Sequence, residues 1–168
     1  MRSRAERGQT LVEFALILPI FILLLVSIFD LGRVVWANDT LSNAAREAAR
    51  FAIVHGGAQS TACPVGPPGS KTNIPPASTD CPFPSPSKQS IYDVATGWAS
   101  SAGTNVTVTA CYWSITPCTG NTDEANATND RGMNVTVTVS SNVGLTAPAL
   151  IGFGSISLSS SSTMLVNH

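Results

Sequence analysis

Between Leu11 and Leu31 the chain is apolar at nearly every position, interrupted only by Glu13, Ser27 and Asp30. A helix needs about 20 such residues to cross the hydrocarbon core of a bilayer. Whatever else the chain does, it must bury or immerse this run. Glu13 lies inside its start, where a carboxylate is costly and is therefore a functional candidate. The 168 residues leave room for one modest domain besides the apolar run. Only 11% of the residues are charged, and the net charge is −1. Without residues 1–8, six basic groups face nine acidic ones, a balance of −3. A body of that sign has no basic footprint for nucleic acid.

Arg2, Arg4 and Arg7 precede the apolar run. Basic residues before a first span hold that side in the cytoplasm, so everything after Leu31 is expected outside. The expected divisions are a leader at 1–8, a membrane helix at 9–35, its exported extension at 36–56, a loop at 57–90 and a body at 91–168. Three readings compete for the run. A cleaved secretory signal needs a small-residue cut site, and Val35-Trp36-Ala37 is a poor one; the apolar core also exceeds the usual h-region. An uncleaved signal anchor is the second. A prepilin-type signal, cut before the apolar core on the cytoplasmic side, is the third.

Gly8-Gln9-Thr10-Leu11-Val12-Glu13-Phe14 favours the third, because it resembles the type IV prepilin processing pattern of glycine before the cut and glutamate fifth after it. Glycine lets the backbone extend into a protease cleft without a side-chain clash. Glutamate can face the free amine created at Gln9 of a neighbouring subunit, and the pairing offsets much of the burial cost of both charges.

From Leu31 to Val54 nothing but Gly32 breaks the helical pattern, with Leu31, Val34, Val35, Leu41, Ala44, Ala45, Ala48, Ala52 and Ile53 recurring near helical spacing. A single helix from Thr10 to Val54 is expected, kinked at Pro19. Ala44, Ala48 and Ala52 form a stripe for close packing, foremost against the chain's own body. His55-Gly56-Gly57 ends the helix.

Residues 57–88 are rich in Pro, Ser and Gly and read as a long irregular loop. Loops of that length are usually functional or tied down. Cys63, Cys81, Cys111 and Cys118 all follow the apolar run, and an even count on the exported side favours disulfides. Three pairings are open, with the short-range one, Cys63–Cys81 and Cys111–Cys118, preferred. A metal site is disfavoured, since neither His55 nor His168 is near the cysteines and no CxxC occurs. Ser90 to Ala102 reads as a short helix. Asn105 to Trp113, Met133 to Ser140, and a last segment from Ile156 to Val166 alternate as half-buried strands. Asn142 to Gly154 reads as a connection. The expected fold is α+β: a long N-terminal transmembrane helix extended outward and packed on a small antiparallel sheet with one short extra helix.

The opening is similar to that of TadE-like proteins. Glu13-Phe14, Leu18-Pro19, Asp30-Leu31-Gly32-Arg33 and Asn43 to Arg50 carry the resemblance, together with the two closing strands. It implies a pilin-like minor pseudopilin of the tight-adherence (Flp-type) pilus, serving adhesion or biofilm formation. Its implied partners are a prepilin peptidase, other pilins and pseudopilins, an inner-membrane assembly platform and the lipid bilayer. By the same resemblance Gly8 and Gln9 flank the cut, while Glu13, followed by Phe14, serves processing or assembly. Gln9 is not the aromatic first residue of many type IV pilins, so methylation does not carry over. The alternative is a signal-anchored extracytoplasmic binding or adhesin module outside any pilus. An enzyme is disfavoured: no GxSxG motif occurs, neither histidine has an evident acidic partner, and no cofactor is implied.

Overall fold

The computed structural model describes residues 4–56, 65–67, 87–147, 149, 152 and 154–167, with side chains from residue 9 onward. Helix α1 runs Arg4–Val54, 51 residues, or about 76 Å at 1.5 Å per residue. It starts before the predicted Thr10, because the Arg, Ala and Glu of the leader are good helix formers. It continues through Pro19 without interruption. Every residue from 9 to 25 is exposed, and Leu11, Phe14 and Ile20 are each more than 60% accessible. Ser27 disposes of its hydroxyl locally, donating to the Leu23 carbonyl at 2.8 Å.

Burial on α1 begins with Val26 and Asp30 and follows Val34, Ala37, Leu41, Ala44, Ala45, Ala48, Ala49 and Ala52. Leu31 and Val35, expected on this face, are 64% and 55% exposed. Each sits one residue beyond a seam position, hence about 100° around the helix. The alanine stripe packs on the chain's own body, as expected: α1 contacts α2, β2 and β3.

Helix α2 covers Gln89–Ala99 and buries Ile91, Ala95 and Ala99. Strands β1 (Thr104–Trp113), β2 (Asn134–Gly144) and β3 (Ser155–Leu165) form an antiparallel sheet in that order. Ala110 pairs with Val137, which pairs in turn with Ser162. Central β2 alternates cleanly, burying Val135, Val137, Val139, Ser141 and Val143. It runs four residues past the predicted Ser140, so Asn142 to Gly144 belong to the strand and not to the connection. On β3, the inward Ser160 hydroxyl meets that of Ser42 on α1 at 3.0 Å. Gly103 enters β1 against β2, and a Cβ there would lie 2.5 Å from the Asn142 carbonyl oxygen. Only glycine fits that approach.

The predicted loop at 57–90 is described at 65–67 and from residue 87. Val65 is buried; its N–H donates to the His55 carbonyl, and its carbonyl accepts from Asn129 Nδ2 at 3.1 Å. The Cys63–Cys81 pairing lies outside the described residues.

Candidate functional site

Gly8, Gln9, Glu13 and Phe14 all fall within α1, at the end of the helix that the body leaves bare. Gln9 and Glu13 are one turn apart, which lets Gln9 Nε2 donate to Glu13 Oε1 at 3.4 Å. Phe14 projects beside them, 63% exposed. The predicted cut residues are thus helical, with a carboxylate and an aromatic ring presented outward immediately after them. Acid–amine pairing with another subunit is chemistry that such an open geometry permits.

Seventeen residues beyond Glu13, a second acid behaves differently. Asp30 is 5% exposed, and its Oδ2 accepts the backbone N–H groups of Thr146 at 2.8 Å and Ala147 at 2.6 Å. Arg33 Nη1 lies 3.9 Å from Oδ1 on a side chain that is 59% exposed, a weak and well-screened partner. The loop between β2 and β3 is therefore latched to α1 through a carboxylate. From the sequence, Asp30 carries the resemblance through Asp30-Leu31-Gly32-Arg33, a stretch that is helical and not a turn; its setting in an apolar run was the available signal for more.

The far end of the body is closed by the segment joining β1 to β2. Disulfide Cys111–Cys118 staples it, with a Cα–Cα distance of 6.2 Å. Asn121 Oδ1 accepts the Ala110 N–H at 3.0 Å, Asp123 Oδ1 accepts the Tyr112 N–H at 2.8 Å, and the Glu124 N–H donates to the Tyr112 carbonyl at 2.9 Å. The outer edge of β1 is thus satisfied at Ala110 and Tyr112, where it would otherwise invite another strand. Lys88 fastens the arrangement from α2's start. Its Nζ donates to the Ala110 and Asn121 carbonyls at 2.8 and 3.0 Å and pairs with Asp123 Oδ2 at 2.8 Å. Burial pushes the phenol of Tyr112 well above its ordinary range, with Asp123 adding to the effect. Glu124 accepts from the backbone N–H groups of Ser114, Ile115 and Thr116, and these bonds hold its carboxyl below the usual value. This cluster is architectural: its charges are spent on one another and on backbone groups of the chain itself.

Among the described residues, no group of three His, Cys, Asp or Glu side chains is placed to hold a metal. His55 stacks on Phe51 with centroids 4.0 Å apart, and its Nδ1 lies 2.9 Å from the Phe51 carbonyl oxygen. That ring is engaged in closing α1.

The structure therefore singles out α1, with an outward acid at its bare head and an inward acid where the body begins. No curated protein and no solved structure matches the chain. Residues 8–50, from the predicted cut into the alanine stripe, match the family model described as TadE-like protein.

Proposed function

We propose that the chain is a minor pseudopilin of a tight-adherence (Flp-type) pilus, held by α1 in the inner membrane with its body outside. A prepilin peptidase cuts between Gly8 and Gln9 on the cytoplasmic side and leaves the apolar helix attached. The observation that carries this reading is the bare apolar half of α1, headed by an outward Glu13 and lying within a TadE-like match over residues 8–50. The match supports a Tad pilus-associated, non-catalytic protein; the minor-subunit role is the finer step. In that role Glu13 neutralises the new amine of a neighbour as the helix exchanges lipid for a bundle of like helices. Burying either charge alone is far costlier than burying the pair. The other partners are the pilins and the assembly platform that gather such helices.

Intact mass of the membrane-extracted protein tests the first step: loss of residues 1–8 is expected. A chain retaining Met1 would instead favour the anchored adhesin module. Glu13→Ala is expected to insert normally yet fail to be processed or to support pili, as read by membrane fractionation and pilus counts. Normal pilus output from that variant would overturn the assembly mechanism.

A further inference from the structure

We propose that the β2–β3 loop, at its described residues Leu145, Thr146, Ala147, Ala149 and Gly152, is a second membrane element: these residues enter the outer leaflet beside α1, and lipid acyl chains fill the groove between them. This rests on the reading that α1 spans the bilayer. The loop, Leu145-Thr-Ala-Pro-Ala-Leu-Ile-Gly-Phe-Gly154, contains no charged residue, and Thr146 is its lone side chain with a hydrogen-bonding group. Its first residues are fixed at the level of Asp30 by the two bonds to that carboxylate. From there Thr146 and Ala147 share an apolar groove with Val26, Ile22 and Leu18. Leu18 lies twelve residues, ~18 Å, below Asp30 towards the helix start.

Two exposed residues mark where water begins. The Arg33 and Trp36 side chains, 59% and 55% accessible, lie on the outer side of Asp30. Arginine extends its charge to the headgroups, and tryptophan prefers that same boundary. The latch is therefore on the hydrocarbon side of the boundary, and the exposed faces of the loop at Ala149 and Gly152 meet lipid.

Irregular backbone enters hydrocarbon only when its polar groups are satisfied within the protein. The loop meets that condition at its entry. Leu145 N–H donates to the Gly154 carbonyl at 3.0 Å, Thr146 and Ala147 N–H to Asp30, and Gly152 N–H to the Ala149 carbonyl at 3.2 Å. Residue 148 is proline and has no N–H to place. The acid buried in α1 thus supplies the acceptors that a membrane-entering loop lacks.

The test uses the full chain in phosphatidylcholine vesicles, labelled with NBD at Ala149→Cys, at Phe21→Cys on α1, or at Ile115→Cys at the body's far end, with the unsubstituted chain as labelling background. Blue-shifted emission at Ala149 and Phe21, quenched by nitroxide-bearing lipid, with water-like emission at Ile115, is expected. Quenching at Phe21 but water-like emission at Ala149 would overturn the loop's immersion and leave the spanning helix intact. Water-like emission at both would remove the spanning reading and this inference with it. Blue-shifted but unquenched emission at Ala149 would mean that another protein surface, such as a second copy, covers the loop, and would overturn lipid as the occupant.

Discussion

Asp30 accepts N–H groups from residues 116 and 117 positions away in sequence, so one carboxylate decides where the sheet end sits along the helix. Asp30→Ala leaves both amides without an acceptor, and Asp30→Asn keeps one oxygen but loses the charge that strengthens such bonds. Amide exchange at Thr146 and Ala147 is expected to quicken in the order wild type, Asn, Ala, with amides of β2's centre unmoved. A uniform change across the body would show that Asp30 serves global stability and is no latch. Glu124 offers a test with pH. Its carboxyl is held below the ordinary 4.5 by the Ser114 and Ile115 N–H groups. A depressed folded value means that the stability it contributes is present above the unfolded value and is lost as pH falls through the folded one. The Ser114, Ile115 and Thr116 amide resonances are expected to move with an acid midpoint below that of an ordinary glutamate, and Glu124→Gln is expected to abolish that transition.

At the scale of elements, the helix and three strands were readable because each carries a period. Val135, Val137 and Val139 alternate, and Ala44, Ala48 and Ala52 recur at one turn. The phase of α1 was harder. In a run where nearly every residue is apolar, periodicity carries no phase, so Leu31 and Val35 were assigned to a face they do not share. The seam that the body follows is set by Asp30 and Val34, and it reaches Val26, about 27 Å below Ala44. The side-chain caps on β1's edge were illegible for another reason: Asn121 and Asp123 look like any polar loop residues until β1 lies beside them. The seam's small residues make a sharp prediction. Ala48 is fully buried between α1 and the body, so Ala48→Leu overpacks the contact and is expected to cost about 1–3 kcal/mol. Asp39→Leu, on an exposed face of the same helix, is expected to stay within about 0.5 kcal/mol. Thermal unfolding in detergent measures both.

For the molecule as a whole, the question is what solvent surrounds the bare half of α1. Ile20 and Phe29 are 70% and 73% exposed, so the protein's own packing treats them almost alike. Only a bilayer would distinguish them, because they differ in depth by nine residues, about 13 Å along the helix axis. Ile20 lies near the middle of the apolar run, where arginine costs about 2.5–3.5 kcal/mol on insertion. Phe29 is one residue from Asp30 and four from Arg33, and an arginine there can extend its charge to the headgroups. Ile20→Arg is therefore expected to lower the fraction retained in membranes after alkaline extraction, while Phe29→Arg leaves it near wild type. If α1 were instead sheathed by a soluble partner along its whole bare face, both substitutions would expose the same charge to the same kind of surface and both would release the protein. Equal retention of the two variants would remove the depth dependence on which the spanning helix, and with it the immersion of the loop beside it, relies.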